Sequence, residues 1–182
     1  HVVNEVTTPQ EARADVRKMA AQKIAHVKMW VDDRRGTYPK LTPEVFTAII
    51  DEAHKRGMKV IMDLVANHTA WDSVMMKHPE FYKQDATGKI IPPEPSWTDV
   101  AGLNYANPKL REYMITMLKH WLTDFGVDGF RCDVAFCVPT DFWEQARTEL
   151  TKVKPDIMML AEASKPELLT KAFDIDYAWP MH

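Results

Sequence analysis

The sequence predicts an α/β fold, a parallel sheet of about five strands with barrel-like curvature, and two observations carry that prediction. Short apolar runs ending in polar residues recur over 26–32, 58–65, 127–134, 157–161 and 173–179, the pattern of buried strands. Between them lie segments with apolar residues at helical spacing, several opened by a cap residue followed by proline. Strands alternating with helices need crossover connections, and such connections build parallel sheets.

The elements follow in order. Thr8, Pro9 and Glu11 open a helix that apolar spacing carries over 12–24, and 26–32 is the first strand. Thr42 and Pro43 repeat the device for a helix through Val45, Ile49, Ile50 and Ala53 that stops at Gly57. The strand 58–65 comes next. Residues 69–104 hold Pro92, Pro93 and Pro95 with Trp71, Phe81, Tyr82 and Trp97 in no sustained period, which predicts a long excursion. Asn107 and Pro108 start a helix through Tyr113, Met117, Trp121 and Phe125, closed by Gly126 before the strand 127–134. Thr140 or Asp141 caps a helix to about 153; a strand at 157–161, a short helix at 166–172 and a last strand at 173–179 complete the chain.

Composition bounds the function. With 182 residues, 46% of them apolar, the chain can bury one sizeable core, yet a closed (β/α)8 barrel takes about 250 residues. A formal charge of −3 gives no electrostatic case for nucleic acid or an anionic membrane and suits a neutral substrate. No apolar run approaches a membrane span and the N-terminus lacks a signal-peptide pattern, so the chain reads as soluble, whether secreted or cytoplasmic. Cys132 and Cys137 lie at one strand end, too far apart in extended geometry for an easy bridge, and read as free thiols.

The chemistry sits at strand ends. In Gly129-Phe130-Arg131-Cys132-Asp133 alternation puts Arg131 and Asp133 on one face and Cys132 on the other, toward the helices. A second carboxylate, Glu162, follows the strand 157–161. Two carboxylates, one a nucleophile and one a proton donor, are the minimum equipment for cleaving a glycosidic bond with retention. In Asp63-Leu64-Val65-Ala66-Asn67-His68 the same alternation puts Asp63, Val65 and Asn67 on one side, with His68 just past the strand. Taken singly, Arg131 with Asp133 is a structural ion pair, His68 caps a turn, and Trp71, Trp97 and Trp121 are core. Their ordered combination points to a site.

That combination, over about 42–179, resembles the α-amylase family of glycoside hydrolases, whose fold is the (β/α)8 TIM barrel. The resemblance implies a retaining glycosidase acting on starch-like α-glucans, with Asp133 as nucleophile, Glu162 as acid/base, Asp63 orienting Arg131, and His68 lining the subsite beside the scissile bond. It also implies limits. The family's fourth signature, a His-Asp pair whose Asp completes a catalytic trio, is expected beyond His182, which favours a catalytically impaired fragment with a structural or sugar-binding role as the alternative. Gly102 stands where many members carry a calcium-binding Asp. Asn67 alone is a weak calcium candidate, and no metal or other cofactor is expected to be required.

Residues 1–57, with Thr7, Pro9, Arg13, Lys28, Asp32 and Pro43 in their contexts, resemble instead the metal-dependent amidohydrolases, also barrels, in which the residue matching Lys28 can be a carboxylated metal ligand. The resemblance implies a second alternative, a zinc-dependent amidohydrolase, against which stands the missing His-x-His pair. It makes residues 1–182 a single truncated or chimeric barrel domain, amidohydrolase-like over 1–57 and α-amylase-like over 58–182. Five strands cannot close a barrel of eight. The uncovered edges, near 27–31 and 174–179, therefore predict a homo-oligomer.

Overall fold

The computed structural model describes residues 5–24, 29, 31, 39–177 and 179, so the expected first strand, 26–32, and Lys28 within it lie outside the described residues. The chain divides into two compact units, 1–60 and 61–182.

The first unit is a pair of helices. Helix α1 (Pro9–Ala21) begins with a reciprocal cap: the Thr8 hydroxyl accepts from the Glu11 N–H and the Glu11 carboxylate accepts from the Thr8 N–H. It stops three residues before the apolar spacing does, because Lys23 turns left-handed at φ 54. Helix α2 (Pro43–Lys55) buries Val45 and Ala48 with Ala12 of α1, flanked by Val6, Leu41 and Ile49. Within this pair Glu52, only 2% exposed, accepts from Arg17 at 2.9 Å and from Arg56 at 3.0 Å. The Arg17 hydrogen bond first, then that of Arg56, holds its carboxyl at about 2 against an ordinary 4.5. A lowered folded-state pKa contributes stability that is present above about 4.5 and lost as the pH falls toward 2. Urea midpoints measured across that window should therefore fall with pH, and Glu52→Gln should flatten the fall; an unchanged slope would show the triad to be idle.

The second unit carries the sheet. Strands β1 (Ile61–Val65), β4 (Gly129–Asp133), β5 (Met158–Ala161) and β6 (Ile175–Asp176) run parallel in the order β1-β4-β5-β6. Helices α3 (Pro108–Asp124) and α4 (Thr140–Thr151) form the crossovers after β1 and β4 and pack beside each other. Four of the five expected strands are thus in place. Alternation works as the sequence predicts on β4: Phe130 and Cys132 are fully buried, while Arg131 and Asp133 are only partly so. Phe142 and Trp143 of α4 and Leu110 and Leu118 of α3 are likewise shut off from water, each side chain contributing about 1.5–3 kcal/mol by burial. Gly129 lets β4 and β5 close up, since a Cβ there would lie 1.8 Å from the Met158 carbonyl oxygen.

The excursion after β1 is ordered. Strands β2 (His68–Ala70) and β3 (Val100–Gly102) pair antiparallel, His68 opposite Gly102, with two 3₁₀ turns at Val74–Lys77 and Pro79–Phe81 between them. Its own small core holds Phe81, Tyr82 and Leu103. A backbone bond from Leu103 N–H to the Asn67 carbonyl (3.1 Å) and a side-chain bond from the Tyr105 hydroxyl to the Ala66 carbonyl (2.7 Å) fasten it to the end of β1. No helix among the described residues is long and apolar enough to cross a membrane.

Candidate active site

The carboxyl ends of β1, β4 and β5 converge on one guanidinium. Register sets Asp63 beside Arg131 and Val65 beside Asp133, so the side chains of Asp63, Arg131 and Asp133 share the sheet face away from Leu64 and Cys132. Arg131 Nη1 donates to Asp63 Oδ1 at 2.8 Å and to Asp133 Oδ1 at 2.6 Å. Its Nη2 lies 2.7 Å from Glu162 Oε1. Burial works against the charge on Arg131, but the hydrogen bonds it donates to Tyr177, Asp63 and Asp133 outweigh it and raise the pKa well above the ordinary guanidinium value. The cluster therefore keeps a permanent cation among three carboxylates.

Glu162 is placed by backbone. Its N–H donates to the Cys132 carbonyl at 2.9 Å, which continues the β4–β5 ladder one residue beyond β5, and its carbonyl accepts from Ala135 N–H at 3.2 Å. Between these, Val134 sits left-handed at φ 38, ψ 46, and so aims its N–H at Glu162 Oε2, 2.9 Å away. A β-branched residue in that region costs about 1–3 kcal/mol.

His68 leaves β1 behind and enters the excursion. Its ring meets Trp97 edge-on at 5.7 Å, and Asn67 Nδ2 lies 3.4 Å from its Nδ1. Desolvation lowers its pKa below 6.5 in spite of the opposing charges of Asp133 and Asp99, so the imidazole is neutral at pH 7. Burial pushes the Cys132 thiol up, and both cysteines are free, as the sequence predicts.

Two expectations change. Asn67 does not share the face of Asp63 and Val65; β1 ends at Val65, and Asn67 turns inward to 3% exposure. Trp71 is not core but 41% exposed, its indole N–H tied to the Thr98 carbonyl at 3.0 Å, and Trp97 and Trp121 are only partly buried. Gly102, which the sequence already shows in place of the family's aspartate, is closely packed. A Cβ at Gly102 would lie 2.9 Å from the Pro93 backbone nitrogen, so the excursion closes where an aspartate would have to stand. Among the described residues no three His, Cys, Asp or Glu side chains group as a metal site, and no buried side-chain nitrogen or oxygen lacks a partner. These residues do not fit a carboxylate-rich calcium cage.

Two residues of the cluster escape sequence reading. Tyr177, whose hydroxyl lies 3.2 Å from Arg131 Nε, announces itself only by standing just past a short apolar run. Val134 gives no signal at all, since its role lies in a backbone angle.

The profile of the alpha amylase catalytic domain matches residues 19–89 and 95–174. It crosses residue 57 without a break, so from residue 19 onward one family accounts for both sides of the expected junction, and the amidohydrolase-like chimera finds no support. Among relatives, a maltogenic alpha-amylase of Bacillus acidopullulyticus is 31% identical over 160 residues, 77% of this chain and 27% of that protein. An intracellular maltogenic amylase of Bacillus subtilis is 29% identical over 133 residues, 66% of this chain and 23% of that one. A solved noncanonic maltogenic alpha-amylase from Thermotoga neapolitana superposes with a TM-score of 0.71 at 44% identity, over 76% of this chain and 32% of its own. An alpha-amylase from Lactobacillus plantarum gives 0.70 at 37%, over 76% and 38%. The chain spans about a quarter of the length of those curated relatives, and its fold is part of a (β/α)8 barrel.

Proposed function

The chain belongs to the α-amylase family of catalytic domains, and from that premise we propose that it is a glycosidase that cleaves the α-glucosidic bonds of starch-like α-glucans by a retaining two-carboxylate mechanism. Asp133 Oδ attacks the anomeric carbon while Glu162 gives a proton to the departing glycosidic oxygen. Water then displaces the aspartyl ester, its proton going to Glu162. One observation supports this above the rest: a single guanidinium bridges Asp133 and Glu162 through its two terminal nitrogens, so that the two carboxylates double displacement needs lie in one cluster.

In this reading Asp63 and Arg131 orient the nucleophile, and neutral His68 offers a hydrogen bond to a sugar hydroxyl. No step uses a metal. The reading includes self-association, since β1 and β6 end the described sheet with Val65 45% and Ile175 43% exposed; sedimentation equilibrium showing a 21.0 kDa monomer would remove that part. A reducing-sugar assay on soluble starch tests the activity itself. Release of reducing ends is expected. Sugar binding without release would establish the impaired-fragment reading.

A further inference from the structure

We propose that Tyr177 is a positioning residue that keeps the Arg131 guanidinium shared among three carboxylates instead of captured by one. The inference rests on the retaining reading for its meaning in catalysis, but its geometry stands independently.

The polar contacts of Arg131 go to four different groups: hydrogen bonds from Nη1 to Asp63 and Asp133 and from Nε to the Tyr177 hydroxyl at 3.2 Å, and an ion pair of Nη2 with Glu162 at 2.7 Å. The pair Nε and Nη2 is a rigid fork that a carboxylate takes with both oxygens whenever it can. Glu162 already holds one prong. A neutral phenol oxygen on the other prong denies Glu162 the second, so the guanidinium stays turned with Nη1 toward Asp63 and Asp133. Without that oxygen the fork is open, Glu162 can take both prongs, and the hydrogen bond to the nucleophile is sacrificed.

Tyr177 is itself held for this task. It follows β6 directly, and its N–H donates to the carbonyl of Ala163, the residue after Glu162, at 3.0 Å. Trp179 packs on its ring at right angles, centroids 5.3 Å apart, and the ring lies 5.7 Å from Arg131 Cζ. The third parallel pairing of the sheet, β5 with β6, thereby serves the site by delivering one hydroxyl to it.

The test removes the hydroxyl and leaves the ring. In ¹⁵N-labelled protein the Arg131 Nε–H resonance, identified by its disappearance in Arg131→Lys, is expected in Tyr177→Phe to move downfield and to exchange with solvent about tenfold slower, as the Glu162 carboxylate replaces the neutral phenol oxygen on that prong, at an unchanged unfolding midpoint. On starch the same variant is expected to lose about tenfold in kcat with KM unchanged. An Nε–H shift and exchange rate identical to the parent's would overturn the proposal and leave Tyr177 as packing. If the parent itself releases no reducing sugar, the retaining reading fails, while the exchange measurement still decides what Tyr177 does to Arg131.

Discussion

Asp133→Asn is expected to lose roughly 10⁴-fold or more in turnover on starch and on α-maltosyl fluoride alike, because no covalent intermediate can form without the nucleophile. Glu162→Gln should behave differently on the two substrates. Starch needs a proton on its leaving oxygen and should be inert to this variant. Fluoride leaves unassisted, so the first step survives and a burst of about one fluoride per chain should precede a halt, the base for the second step being gone. A fluoride electrode and a reducing-sugar assay read both results. Folding should change little, as Asp133 and Glu162 are 28% and 22% exposed and the neutral amides keep the shape. Parent-like rates in either variant would show that the carboxylates are not the catalytic pair.

Removing the cation should cost stability as well as activity. Arg131→Leu leaves Asp63, Asp133 and Glu162 facing one another around an apolar side chain, with no positive charge to offset their repulsion. Breaking a buried ion pair costs about 3–5 kcal/mol, and solvent screening at 18% exposure of Arg131 and 43% of Asp63 reduces this to about 2–4 kcal/mol. Arg131→Lys should recover only part, because an ammonium is a point charge that cannot serve three separated carboxylates at once. Urea unfolding at pH 7 measures the loss. A change below about 0.5 kcal/mol would mean that the cluster is solvated and contributes nothing.

The strands and the principal residues were legible because parallel strands buried on both faces write themselves as apolar runs, and catalytic groups sit where such runs end. Thr8 with Pro9 announced α1 by local hydrogen bonding, and Pro43 announced α2 by standing at its first helical position, where no N–H is needed; Thr42 itself makes no side-chain cap bond. Those same devices serve any helix in any barrel, and for that reason residues 1–57 could resemble a second family although the α-amylase family accounts for the chain from residue 19 onward. The excursion was opaque for a different cause. Its paired strands are three residues long, too short to show a period, and they are held by contacts such as Thr69 Oγ1 to the Tyr82 hydroxyl at 2.9 Å across thirteen residues. Gly102 could be seen to break the calcium pattern, but the reason, the Pro93 backbone beside it, exists only in three dimensions. Tyr177 reaches Arg131 across forty-six positions, and no local spacing encodes that.

The claim that Asp133 is the nucleophile of a retaining α-glucosidic cleavage is tested most directly by trapping it. Incubation with a 5-fluoro-α-maltosyl fluoride, which forms the glycosyl-enzyme faster than water removes it, followed by proteolysis and mass spectrometry, should give one fluoromaltosyl adduct per chain, on the peptide containing Asp133. Absence of any adduct, or an adduct on a different residue, would contradict it.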